Sequence, residues 1–211
     1  MSFTSKLSSV LAVPHSVRAA CVAVIRPVLC CMPVLMLSAA CSNAVDEYCR
    51  RPCYVVVDNS VHLDPTLASA MNPTTPGTFC TIQMTKKGEA TFYHCHTNQW
   101  LDNDIRWTAV YDKMSVIVGL NNGIIVGYGN LDNPAVFYAY GRECPNCFDP
   151  DALPVRSKPL TTDERGIATC AVCHRTYNLN NRGIVASGDA GNPLTRFPAQ
   201  TSGPFGVLTV R

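Results

Sequence analysis

The hydrophobic positions of this chain fall in short β-branched and aromatic runs separated by turn formers, with almost no helical periodicity. Tyr54-Val55-Val56-Val57 reads as the first strand. Thr78 to Met84 and Ala90 to His96 read as a hairpin, in which a two-residue turn at Lys87-Gly88 sets Cys80 directly opposite Cys95. Tyr111 to Leu120 and Ile124 to Gly129 read as a second hairpin around Asn121-Asn122-Gly123, a strong turn signal. Ala135 to Tyr140, Gly166 to Thr169, Arg175 to Leu179, Ile184 to Ala186, Pro193 to Phe197 and Gly206 to Val210 supply further strands, with Asn181-Arg182-Gly183 as a turn. Gln99 to Thr108 is polar around Trp100 and Trp107 and reads as a loop or an irregular edge. One short helix is predicted from Pro65 to Met71, with Asp64 as N-cap and Pro65 at the first helical position. Nothing from Lys113 onward reads as a long helix, so the pattern predicts an all-β fold, a barrel or a sandwich.

The first forty residues change that picture by looking like a targeting segment. Lys6, Arg18 and Arg26 carry positive charge, and Pro27 to Ala40 is apolar and ends in Ser38-Ala39-Ala40 before Cys41. Small residues ahead of a cysteine predict export as a bacterial lipoprotein, cleaved and acylated at Cys41. Ordinary secretion, with Cys41 as a plain N-terminal residue, is the other reading. The apolar run is short and is broken by Pro27 and Pro33, which argues against a spanning helix. The expected organisation is a signal peptide at 1–40, a strand and hairpin region at 41–112 packed on the same domain, and a main β domain at 113–211. The expected location is the cell envelope, with membrane contact through the N-terminal lipid and any protein partner in the envelope.

Composition excludes some function classes. Charged residues make up 15% of the chain, against about 25% in an average protein. The net charge is +2, with no basic patch of the kind that binds nucleic acid. No G-x-S-x-G, H-E-x-x-H or phosphate loop is present, and no enzyme is expected. Glu143 reads as a surface carboxylate.

The chemistry is carried by two knuckles, Cys144-Pro145-Asn146-Cys147 and Cys170-Ala171-Val172-Cys173-His174, in loops at 143–149 and 169–175. A C-x2-C turn aims two sulfurs at one point, and two such turns complete a tetrahedron. Four thiolates suit zinc, a single iron or an iron–sulfur cluster. Four protein ligands also close the coordination sphere, so zinc here would be structural. In an oxidising compartment the same residues could instead form two disulfides. His174, adjacent to a ligand, is expected beyond the ligands as a donor from its ring N–H to a sulfur.

The setting of these knuckles resembles a Rieske domain of the kind found in cell-envelope lipoproteins of Bacteroides-type bacteria. Val136-Phe137-Tyr138-Ala139-Tyr140 leads into Cys144-Pro145, and Tyr177-Asn178-Leu179 leads out of the second knuckle towards Gly183, Gly188, Leu194 and Phe197. The resemblance covers roughly the last half of the chain. It implies a β domain with two metal-binding loops and an N-terminal hairpin extension. It also implies, as the alternative to zinc, an electron carrier with a 2Fe–2S cluster. Cys144 and Cys170 match the family's cysteines, whereas Asn146 and Cys173 stand where its histidine ligands would be.

Other candidate groups lie outside the knuckles. Cys80 and Cys95 are expected as a cross-strand disulfide or as two half-buried thiols. His94 and His96 share one strand face and are open to metal or solvent. Cys49 and Cys53 flank Arg50-Arg51-Pro52, a spacing too short for an easy mutual disulfide.

Overall fold

Strand β2 (Phe79–Lys87) sends Cys80 and Ile82 to one face and Phe79 to the other, and the two faces it separates organise the molecule. The computed structural model describes residues 47–211; the expected leader and Cys41 lie outside the described residues. The fold is all-β. Strand β2 lies within a five-stranded antiparallel sheet of order β4-β3-β2-β5-β6, with β3 at Ala90–Thr97, β4 at Asp102–Arg106, β5 at Ile124–Tyr128 and β6 at Phe137–Gly141. Cys80, Ile82, Tyr93, Cys95, Ile105, Ile124, Val126 and Ala139 point to one face of it. Phe79, Ile125, Tyr138 and Tyr140 point to the other. Residues Ile124, Ile125 and Val126 are all buried, so this strand has no polar face, and its unbroken apolar run follows from that.

A three-stranded sheet covers the first face, with order β1-β12-β11: β1 is Val55–Asp58, β11 Ala199–Thr201 and β12 Val207–Val210. Val55, Val57, Leu208 and Val210 are its inward residues. Two short helices, α1 (Asn59–His62) and α2 (Pro65–Ala70), close this core with Leu67, Ala70 and Met71. The carboxylate of Asp64 accepts the Leu67 N–H at 2.6 Å, the cap expected from the sequence. The second face carries a four-stranded sheet of order β10-β9-β8-β7, with β7 at Leu160–Thr162, β8 at Ile167–Cys170, β9 at Thr176–Asn178 and β10 at Ile184–Ser187. All three sheets are antiparallel and none closes into a barrel among the described residues.

Several expectations need correction. The first hairpin turns at Gly88-Glu89, because Lys87 pairs with Ala90. Gly88 has φ 61, and a tight hairpin places its glycine at the first turn position for that reason. Moving the turn by one residue moves the partner of Cys80 by two, to Thr97, while Cys95 faces Ile82. Cys80 and Cys95 are therefore diagonal neighbours on one face, both free and both fully buried. The second expected hairpin does not form. Both edges of β5 are taken, by β2 and β6, so Tyr111 to Leu120 has no edge to join. It runs instead through a 3-10 turn at Tyr111–Lys113 and one bridge from Ile117 to Tyr54. The Asn121-Asn122-Gly123 turn survives in another role: Asn122 accepts the Met84 N–H at 2.9 Å and donates to the Met84 carbonyl at 2.8 Å. Part of Gln99 to Thr108 forms the edge strand β4. Pro193 to Phe197 forms only a bridge from Arg196 to Tyr140, and the strand there is β11, which begins at Ala199.

Candidate metal centre

Cys144 lies three residues past β6 and Cys170 is the last residue of β8, so a strand from each of two sheets delivers one knuckle. Each knuckle is wound by its own backbone. Cys147 N–H and Phe148 N–H both donate to the Cys144 carbonyl, at 3.2 and 2.9 Å, and His174 N–H donates to the Cys170 carbonyl at 3.0 Å. The second turn also closes with Val172 N–H on the Cys170 sulfur at 3.4 Å. The sulfurs of Cys144, Cys147, Cys170 and Cys173 all lie within 4.8 Å of one another. Cys144 Sγ is 3.7 Å from Cys173 Sγ, and Cys170 Sγ is 3.9 Å from Cys147 Sγ. A tetrahedron with metal–sulfur bonds of about 2.3 Å has edges of about 3.8 Å, so the donor set fits one tetrahedral ion. All four cysteines are free thiols in the structure.

The groups around the sulfurs fix their aim. Tyr177, fully buried on β9, brings its hydroxyl 3.3 Å from Cys144 Sγ. Asn146 Nδ2 donates to that hydroxyl at 2.9 Å and to the Asn192 carbonyl at 2.9 Å, while Asn146 Oδ1 accepts the Asn192 N–H at 2.9 Å. Gly191 is what allows this approach, since a Cβ there would stand 2.6 Å from Asn146 Oδ1. Asn146 thus ties the first knuckle to the loop after β10. Arg175 does the same for the second knuckle. Its side chain bonds the Asp189 and Ala190 carbonyls at 3.0 and 3.3 Å.

Protonation is uneven across the four thiols. Burial, then the neighbouring cysteines, pushes Cys147 up to about 12. Burial also raises Cys144, against hydrogen bonds from Tyr177 and the backbone at Asn146. Burial opposes the Cys173 thiolate as well, yet hydrogen bonds from the Arg175 backbone N–H and guanidinium carry it down to about 6. A bound metal ion takes its cysteines as thiolates, and the Arg175 guanidinium offsets part of the resulting negative charge.

The four predicted ligands are thus brought together. The donor expected of His174 is supplied by Arg175. His174 is exposed, has φ 58 at the end of the knuckle, and its ring makes no hydrogen bond among the described residues. Glu143 is not a surface carboxylate: it is buried and accepts from Asn121 at 2.9 Å, Ser157 Oγ at 2.6 Å and the Lys158 N–H, which holds the loop over the first knuckle. Tyr177 and Asn146 were missed as bracing groups. The only signal for Asn146 was its place inside the C-x2-C turn, where an amide can cap a neighbouring backbone. Cys53 lies in the first core, with half-buried Cys49 packed on it, and burial raises the Cys53 thiol to about 11. His94 and His96 stand on the second face of β3, outside the cysteine cluster.

Compared by sequence, the chain matches no family model and no curated protein.

Proposed function

We propose that this chain is a non-catalytic cell-envelope protein, lipid-anchored at Cys41, whose β domain is held at one end by a structural zinc ion on Cys144, Cys147, Cys170 and Cys173. The observation that carries the metal reading is the mutual closeness of the four sulfurs, all within 4.8 Å of one another. A 2Fe–2S cluster divides its thiolates between two irons, and a set this tight suits one ion better than two. Zinc is favoured over iron because an all-thiolate, four-coordinate site leaves no position for water or substrate and a closed-shell ion needs no redox partner. The sequence resemblance around the two knuckles supports a Rieske-like domain in which Asn146 and Cys173 stand at the histidine positions and serve the fold. Asn146 braces, and Cys173 ligates.

Metal analysis and a visible spectrum of protein purified without added metal test the site. One zinc per chain and no colour are expected. A red-brown protein with two irons and two sulfides would overturn the structural role and make the chain an electron carrier. The anchor is tested separately: Cys41→Ala should release the protein from membranes, and no helix among the described residues is long and apolar enough to hold it there. An intact Met1 terminus on cytosolic protein would remove the envelope reading.

A further inference from the structure

Between the five-stranded sheet and β7 lies a recess of about 380 Å³ with no cysteine in its lining. Its floor is the second face of β2 and β3, where Gln83 pairs with His94 and Thr81 with His96. The Gln83 row continues past Gly123, just ahead of β5, to Arg142, whose N–H donates to the Gly123 carbonyl at 3.1 Å. Gly123 has no side chain to block the row: a Cβ there would stand 2.7 Å from Arg142 Cδ and 2.9 Å from Arg142 Cβ. The arginine stem therefore lies across bare backbone, and Arg142 lines the recess. Among the described residues its guanidinium has no hydrogen-bond or ion-pair partner.

Two more groups stand in the same lining. The Thr162 hydroxyl is buried and has no partner. Trp100 is 71% exposed and takes φ 63, a strained conformation for a bulky residue. Its indole N–H is fixed on Glu164 Oε1 at 2.9 Å, and His96 meets the ring edge-on at 6.2 Å between centroids. The acidic groups nearby are already engaged: Asp104 holds His94 at 2.9 Å and also pairs with Lys87, Asp102 stands 3.4 Å from the other ring nitrogen of His94, and Glu164 accepts the Trp100 indole N–H. What remains is an uncompensated cation, an orphan hydroxyl, the amide of Gln83 and a rigid aromatic face at the rim.

We propose that this recess binds a carboxylate-bearing sugar, with the pyranose ring on the face of Trp100 and the carboxylate on Arg142. A guanidinium fork matches a carboxylate in geometry as well as charge, and the few polar groups set orientation around an apolar platform. Thr81 and Gln83 face the sugar hydroxyls.

The test is a titration of the full chain, carrying its metal, with glucuronate, glucose and acetate, followed by the indole N–H resonances of its two tryptophans. Glucuronate should shift the Trp100 signal saturably, with glucose and acetate at least tenfold weaker. Arg142→Met should weaken glucuronate at least tenfold, and so should Gly123→Ala, which displaces the stem. Metal content should not change in either variant, which separates this site from the cysteine centre. Gln83→Ala, remote from the knuckles, should weaken binding severalfold and serves if the other two fail to fold. Glucose binding as tightly as glucuronate, no saturable binding at all, or affinity unchanged in the folded variants would each overturn the proposal.

Discussion

The two faces of the five-stranded sheet are packed by different means. The first core is dominated by aliphatic side chains: Val55, Val57, Leu67, Met71, Ile82, Ile124, Val126, Leu208 and Val210 are all at or near zero exposure. The second core leans on groups with polar ends. Tyr140 donates to the Leu179 carbonyl at 2.8 Å, Tyr138 to Asp132 at 2.9 Å, and Tyr177 sits against Cys144 and Asn146. The strands differ as well. Strands β2 and β3 run 9 and 8 residues, whereas β7 to β10 run 3 or 4, and β10 is largely exposed. The loop at 148–158 buries only Phe148 and leaves Leu153 93% exposed. Short strands and a polar loop cannot offset the ordering cost of their backbone by burial alone. The cysteine cluster stands where that deficit is greatest, and a metal there would replace the missing apolar area.

The largest effect should come from breaking the cluster. Structural zinc can contribute on the order of 10 kcal/mol to folding. Cys147→Ser, or removal of metal by a chelator, should therefore strip amide-exchange protection from 143–192 while β2, β3 and β12 keep theirs. Equal loss in both cores would show that they fold as one cooperative unit and that the contrast drawn here has no energetic content. Next in size are the bracing groups. Tyr177→Phe removes a buried contact at the first knuckle and Asn146→Ala removes three hydrogen bonds there, one of them part-buried; each should cost about 1–3 kcal/mol by chemical denaturation. His174→Ala, which removes an exposed side chain, should stay within about 0.5 kcal/mol and retain the metal. A cost for His174→Ala matching that of Tyr177→Phe would restore the histidine to the site.

The first core gives the matched control. Asp64 caps α2 through Leu67 and also accepts a hydrogen bond from Asn103 of β4. Asp64→Ala should cost about 1–2 kcal/mol with metal content unchanged. Loss of metal in this variant would couple the two cores directly.

How much of this was readable beforehand depended on whether the cause was local. The α2 cap, the two cysteine knuckles and most strands follow from residues a few positions apart, and the sequence displays them. The register of β2 on β3 turned on which of two adjacent turns the chain chose, and one residue there moved Cys80 from facing Cys95 to facing Thr97. Tyr111 to Leu120 has strand-forming residues, but competition for the edges of β5 decided its fate, and competition is a tertiary fact. Glu143, Asn146 and Tyr177 act through partners 14 to 46 positions away, so no local signal marks Glu143 or Tyr177, and Asn146 shows only its place inside the knuckle.

The smallest effect concerns the outer edge of the five-stranded sheet, where Asp104 joins Lys87 and His94. Hydrogen bonds from Lys87, then His94, hold the Asp104 carboxyl below its ordinary value of 3.8. Its folded pKa is therefore lower than its unfolded one. The stability this adds is fully present above the unfolded value and is lost as pH falls through the folded value, below about pH 4. The cluster is partly solvated, so the contribution should be no more than about 1 kcal/mol. Acid would also protonate the cysteines and release any metal they hold, which would mask so small a term in the wild type alone. The difference in unfolding free energy between wild type and Asp104→Asn removes that shared loss. It should favour wild type at pH 6 and shrink towards zero below pH 4. A difference that stays constant with pH would mean that Asp104 acts at this edge by packing, not by charge.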